Sequence, residues 1–149
     1  MARAAHPQQP LTAADIMTRN PVVVDSTATV QDVADVMFGT EVRHVPVVEQ
    51  GTLVGMVSDR DLRSYLLPRP EQIIRPDDAR ARLAANVGMV MRTDMLTVTP
   101  ETPVTAIIDL LLQEHIGAVP VLQSASHALL GMVSYIDVLR VARTFFSEE

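Results

Sequence analysis

Cysteine, tryptophan and lysine are all absent from the 149 residues. Without cysteine there is no disulfide framework, no thiolate nucleophile and no zinc site with sulfur ligands, so nothing in the composition points to secretion. Aromatic residues make up only 3% of the chain, too few for the stacking platform of a single-strand nucleic-acid binder. The core must therefore be aliphatic and rich in methionine. All 12 cations are arginines, so every fixed positive charge can clamp a phosphate bidentately. Long apolar runs are missing as well. Residues 1–10 (MARAAHPQQP) lack the apolar stretch of a signal peptide, and charges such as Asp109 interrupt the most apolar later segment. The expectation is a loose tail over residues 1–10 and a cytosolic protein without a membrane span. With 48% hydrophobic residues, 20% charged residues and a net charge of −6, the remainder has the composition of a globular domain.

What is present is an internal repeat. A shift of 74 superposes Met17 on Met91, Val24 on Val98, Val30 on Val104, Asp35 on Asp109, and Val45-Pro46-Val47 on Val119-Pro120-Val121. A two-residue insertion near Ser124 to His127 moves the shift to 76, and Gly55-Met56-Val57-Ser58 then falls on Gly131-Met132-Val133-Ser134, with Asp61 on Asp137. Each copy predicts the same series of elements. A helical turn (Thr12 to Met17, Asn86 to Met91) leads into an extended segment (Pro21 to Val24, Met95 to Val98). A helix with an apolar stripe follows, carried by Val30, Val33, Val36 and Met37 or by Val104, Ile107, Ile108, Leu111 and Leu112, with Pro103 placed at a first helical position. Two strands come next, Val45 to Val48 and Leu53 to Val57 around a turn at Gln50-Gly51, or Val119 to Leu122 and Leu129 to Val133. A last helix opens at Ser58 and stops near Pro68; its counterpart opens at Ser134 and runs toward Phe146.

The fold class is thus α/β (α+β), with two pseudo-symmetric β-α-β-β-α repeats at residues 11–68 and 87–149. A linker at 69–86 carries a helix from Asp77 to Ala85. A unit of about 50 residues buries too little surface to stand alone, so the two are expected to pack as one domain.

The chemistry lies in the repeated block, GMVSDRD at Gly55 to Asp61 and GMVSYID at Gly131 to Asp137. One reading is purely structural: Ser58 caps a helix and Asp61, three residues on, reaches back to it as a capping box. The other uses the same geometry for binding, because a helix N-terminus offers unpaired N–H groups to an anion and its carboxylate can accept from a sugar diol.

With the Met turn, the extended segment, the Val-Pro-Val strand and the Gly-hydrophobic-hydrophobic-Ser-x-x-Asp block all doubled in register, the chain from Thr12 to about Arg143 resembles a tandem pair of cystathionine-β-synthase-type (CBS) domains, a Bateman module. The resemblance implies that Asp61 with Ser58, and Asp137 with Ser134, hold the ribose and phosphate of adenosine-containing ligands in clefts between the repeats. It implies an adenine seat at Leu96 and Val119 for the Asp61 cleft, and at Val22 and Val45, near Thr18 and Asn20, for the Asp137 cleft. The third position before the Pro often supplies a phosphate-binding cation in this family. Here it is Arg43 in one copy and Gly117 in the other, while Arg60 is matched by Ile136. Arg43 and neighbouring His44, a titrating donor, therefore make the Asp61 cleft the tighter one for a phosphorylated ligand; the alternative for Arg43 is a solvated surface cation.

His6, His44, His115 and His127 show no metal-ligand spacing, and no nucleophile elbow is legible. Six arginines (Arg63, Arg69, Arg75, Arg80, Arg82 and Arg92) fall between residues 63 and 92. They read as a nucleic-acid patch or, in better keeping with an acidic chain, as a solvated linker helix. The implied function is a non-catalytic regulatory sensor of AMP, ADP or ATP, with S-adenosylmethionine or NAD as further members of the ligand class. It needs no cofactor and forms a homodimer through the helices Val30 to Phe38, Val104 to Leu112 and Ser134 to Phe146. The regulated protein partner is not named by the sequence. The alternative is a ligand-free module for dimerisation or partner binding.

Overall fold

The structure, a computed structural model, describes residues 10–67 and 75–147. Residues 1–9 of the expected tail (1–10), residue 68 of the first repeat and residues 69–74 of the expected linker (69–86) lie outside the described residues. The chain forms two compact units, Pro21–Met95 on the one hand and Met1–Asn20 with Leu96–Glu149 on the other. These units cut across the sequence repeats: each combines the body of one repeat with the opening turn of the other.

In the Pro21–Met95 unit, β2 (Val24–Asp25) runs parallel to β3 (His44–Glu49), which pairs antiparallel with β4 (Thr52–Ser58). The β3–β4 loop is Gln50-Gly51, with φ of 50° and 81°, the left-handed pair that a two-residue hairpin requires. Helix α2 (Val30–Thr40) starts at a capping box, Thr29 accepting from the Asp32 N–H while the Asp32 carboxylate accepts from the Thr29 N–H. It buries Val30, Val33, Ala34 and Met37 at the spacing of one helical face. Val45, Val47, Val57, Leu62 and Val87 complete this core. Helix α3 (Asp59–Leu66) follows β4 directly, and α4 (Pro76–Ala84) has Pro at its first turn. A 3₁₀ turn at Val87–Met89 then brings Arg92 to β4, where Arg92 and Met56 exchange both backbone hydrogen bonds at 2.8 and 2.9 Å.

The other unit repeats this plan. Helix α1 (Ala13–Ile16) leads into β1 (Thr18–Arg19), which pairs with β6 (Leu129–Ser134) through Thr18↔Met132 and Arg19↔Gly131. Strand β5 (Ala118–Leu122) lies on the other side of β6, and Val98 bridges in parallel to Val121 as Val24 does to Val47. Helices α5 (Val104–Glu114) and α6 (Tyr135–Phe146) complete it over a core of Ala13, Ile107, Leu111, Val119, Val121 and Val133. The architecture is a mixed α+β fold of two β-α-β-β-α-like halves.

Three local expectations are corrected. The extended segments at Pro21 to Val24 and Met95 to Val98 pair only at their ends, as β2 and as the lone Val98 bridge, since Pro21 has no N–H to donate and Val22 and Val23 are exposed. Pro103 is the N-cap of α5, not its first helical residue: its ψ of 143° is extended, and the Val104 N–H donates to the Leu11 carbonyl. The linker helix runs Pro76–Ala84 instead of Asp77 to Ala85.

Candidate functional site

Each block glycine is fixed by its neighbour. A Cβ on Gly55 would lie 2.5 Å from Met91 Sδ, and one on Gly131 would lie 2.7 Å from Met17 Sδ and 2.8 Å from the Thr18 carbonyl oxygen. The methionine closing each opening turn thus packs on the bare backbone of the block and delivers the next residue, Thr18 or Arg92, to the start of α6 or α3.

At those helix starts the capping boxes form as expected. Ser58 Oγ accepts from the Asp61 N–H at 3.0 Å, and Asp61 Oδ2 accepts from the Ser58 N–H at 3.1 Å. Ser134 Oγ accepts from the Asp137 N–H at 3.4 Å, and Asp137 Oδ2 accepts from the Ser134 N–H at 2.9 Å. The structural reading of Ser-x-x-Asp is therefore met in both copies, yet it uses only one carboxylate oxygen. The second oxygen has its own partner. Thr18 donates its hydroxyl to Asp137 Oδ1 at 3.2 Å, and Arg92 donates Nε to Asp61 Oδ1 at 2.9 Å. Arg140, a turn along α6, stands 3.6 Å from Asp137 Oδ1, beyond hydrogen-bond reach. Both carboxylates are largely sheltered, with side chains 12% exposed at Asp61 and 8% at Asp137. Burial pushes the Asp61 carboxyl up, but the Ser58 hydrogen bonds and the Arg92 guanidinium outweigh it and hold the group below its ordinary value.

Arg43 lies at the edge of this arrangement. Its carbonyl accepts from the Asp59 N–H at 2.8 Å, as the Gly117 carbonyl accepts from the Tyr135 N–H at 3.0 Å. The backbone frame is the same, and at this position the two sites differ by the Arg43 side chain, which is exposed. His44, half-buried opposite Ser58, is held below its usual value by burial, against the pull of Asp61 and Asp59. It is thus a mostly neutral imidazole at pH 7 and not the cation that would add to Arg43. Arg60 and Ile136 are both exposed on the first turns of α3 and α6.

The expected adenine seats divide between the units. Thr18 and Asn20 share the unit of Asp137, whereas Val22 and Val45 belong to that of Asp61; Leu96 and Val119 belong to that of Asp137. Val45 and Val119 have 0% exposure, locked in the cores of their own units, so they have only backbone to offer a ligand. Val22 and Leu96 are exposed.

Arg92 stands in the sequence among the arginines near the linker and is not an expected site residue, although the shift of 74 aligns it with Thr18. Two others of that cluster are committed elsewhere. Arg63 pairs with Asp59, and Arg82 donates to the Tyr65 carbonyl at 2.8 Å while lying 5.8 Å from the Tyr65 ring centroid. Arg75 and Arg80 are exposed, and Arg69 lies outside the described residues. Among the described residues no cluster of His, Asp and Glu could hold a metal ion, and no helix is long and apolar enough to cross a membrane.

Comparison with known proteins agrees with this doubled geometry. The CBS domain family model matches residues 13–68 and again 87–144. The CBS domain-containing protein YhcV of Bacillus subtilis is 30% identical over 126 residues, spanning 83% of this chain and 80% of that protein. The homoserine O-acetyltransferase of Methanocorpusculum labreanum is 28% identical over 126 residues. The chain spans only 23% of that enzyme's length, against 84% of its own. Among solved structures, CBSX2 in complex with AMP superposes with a TM-score of 0.75 at 27% identity, covering 91% of this chain and 98% of that one; CBSX2 is a CBS-pair protein of Arabidopsis thaliana. With two matched segments that fill most of its length, the chain belongs to the CBS domain family as a tandem pair.

Proposed function

We propose that the protein is a non-catalytic regulatory module that binds adenosine nucleotides at the helix starts holding Asp61 and Asp137. The observation that carries this reading is that each Asp spends one oxygen on its own helix cap and presents the other to a single displaceable donor, Arg92 or Thr18. A ribose diol can take the place of that donor, and the positive end of the helix, with the Arg60 or Ile136 N–H not taken up by the cap, suits the phosphate. The AMP complex of CBSX2 supports an adenosine nucleotide as the ligand, as does the exposed Arg43, which has no counterpart at Gly117. Exposed Phe38 on α2, Leu112 on α5, and Leu139 and Phe146 on α6 support assembly into a homodimer through the helices. Sedimentation velocity reads that assembly directly.

The test is a thermal-shift panel of AMP, ADP, ATP, S-adenosylmethionine and NAD. A ligand at 100 times its dissociation constant stabilises the fold by about 2.7 kcal/mol, and each kcal/mol moves the midpoint of a chain this size by about 2–4 °C. A shift of that order with a nucleotide, lost in the Asp61→Ala, Asp137→Ala double variant, is expected. A flat panel contradicts the proposal and leaves a module for dimerisation or partner binding.

A further inference from the structure

We infer that Arg92 is a displaceable guard on the Asp61 carboxylate that makes this site select phosphorylated adenosine ligands over uncharged ones. The inference rests on the reading of Asp61 as a ribose-binding group. Asp61 Oδ2 is committed to the Ser58 N–H, so Oδ1 is the oxygen left for a diol, and Arg92 Nε already occupies it at 2.9 Å. The Arg92 backbone is pinned by its two hydrogen bonds to Met56, while its side chain is 69% exposed. The guanidinium can therefore leave Asp61 by side-chain rotation alone and still remain tethered beside the start of α3, where Arg43 also stands.

The pseudo-symmetric position supplies the internal control. Thr18 makes the same backbone pairing with Met132 and donates a neutral hydroxyl to Asp137 Oδ1. At Asp137 an incoming diol exchanges one hydroxyl for others, and Arg140, which stands 3.6 Å from Oδ1 without a hydrogen bond to it, need not be expelled. At Asp61 the diol must expel a cation. An uncharged nucleoside leaves that cation only solvent and the attraction of neighbouring Asp94, whereas a phosphate within reach gives the released guanidinium a new charge-assisted contact. Arg92 thus opposes nucleosides and favours nucleotides, and Thr18 does neither.

The experiment is calorimetric titration of adenosine and of AMP into the Asp137→Asn protein, which keeps Asp61 as the intact block carboxylate, with and without Arg92→Thr or Arg92→Lys. Arg92→Thr is expected to reduce the AMP-over-adenosine affinity ratio by about tenfold or more, the scale of one lost hydrogen bond to a charged group. Arg92→Lys keeps the charge and is expected to retain most of the preference. If Asp137→Asn does not fold, the otherwise unaltered chain is titrated and the site abolished by Asp61→Asn is the one read. A ratio unchanged within twofold in Arg92→Thr, with binding still abolished by Asp61→Asn, overturns the guard and leaves the ribose reading standing. Binding indifferent to Asp61→Asn overturns both.

Discussion

Alanine at Gly131 and at Gly55 adds the same methyl group to equivalent positions, but the two are expected to differ in cost. At Gly55 the new Cβ finds its three nearest atoms all on the Met91 side chain, with Sδ at 2.5 Å, Cγ at 2.9 Å and Cβ at 3.2 Å, and the two closest can rotate away. At Gly131 it also meets the Thr18 carbonyl oxygen at 2.8 Å. That oxygen belongs to β1, whose residues Thr18 and Arg19 are paired with Met132 and Gly131, so relief requires the strand to move. Overpacking costs about 1–3 kcal/mol, which puts Gly55→Ala near the lower bound and Gly131→Ala near the upper. At about 2–4 °C per kcal/mol, melting followed by circular dichroism is expected to fall by about 2–4 °C for Gly55→Ala and by about 6–12 °C for Gly131→Ala. Gly39, inside α2 with nothing within 4 Å of its Cβ, is the control: Gly39→Ala is expected to stabilise by about 0.5–1 kcal/mol. If Gly131→Ala melts no lower than Gly55→Ala, the argument that the opening turn is packed on the block backbone is refuted.

Three further outcomes follow from the same contacts. Thr29→Ala removes the α2 cap that accepts from the Asp32 N–H and is expected to cost about 1 kcal/mol in urea denaturation. The Asp61 carboxyl titrates below its ordinary 3.8, so its contribution is present above that value and lost as pH falls through the folded-state value; Asp61→Asn is expected to flatten the stability profile below about pH 4 relative to wild type. His44, with Asp59, Asp61 and Arg43 around it, titrates below 6.5 because of burial. The unfolded chain therefore binds the proton more readily, stability declines as pH falls through the window just below 6.5, and His44→Gln is expected to remove part of that slope in urea midpoints between pH 7 and 5.

Much of the fold could be read because its signals are local. The short apolar run Val45-Pro46-Val47-Val48, the Gln50-Gly51 turn and the Ser-x-x-Asp caps each act within a few residues, and each forms where expected. Pairing partners distant in the chain were harder. Nothing near Thr18 announces that it pairs with Met132, and the exposed, Pro-led segment at Pro21 to Val23 carries strand-like residues without a partner for them. The site divides along the same line. Ser58, Asp61, Ser134 and Asp137 are legible as a spacing, whereas Arg92 reaches Asp61 only because Met91 packs on Gly55. Its aligned counterpart Thr18 was already singled out, so the repeat held the missing signal. Val45 and Val119 are buried in the cores of their own units, a placement that the apolar run alone does not announce, since a half-exposed valine and a core valine look alike in sequence.

The most direct test of the account is equilibrium binding of AMP to the wild-type chain and to the Asp61→Asn, Asp137→Asn double variant, measured by isothermal titration calorimetry. Both substitutions keep an oxygen that can serve the helix cap, so the fold is expected to persist while the charge offered to the ribose is lost. The account predicts saturable AMP binding in the wild type and its loss in the double variant, with each single variant losing one site. AMP binding of undiminished affinity in the double variant, or none in the wild type, would contradict it.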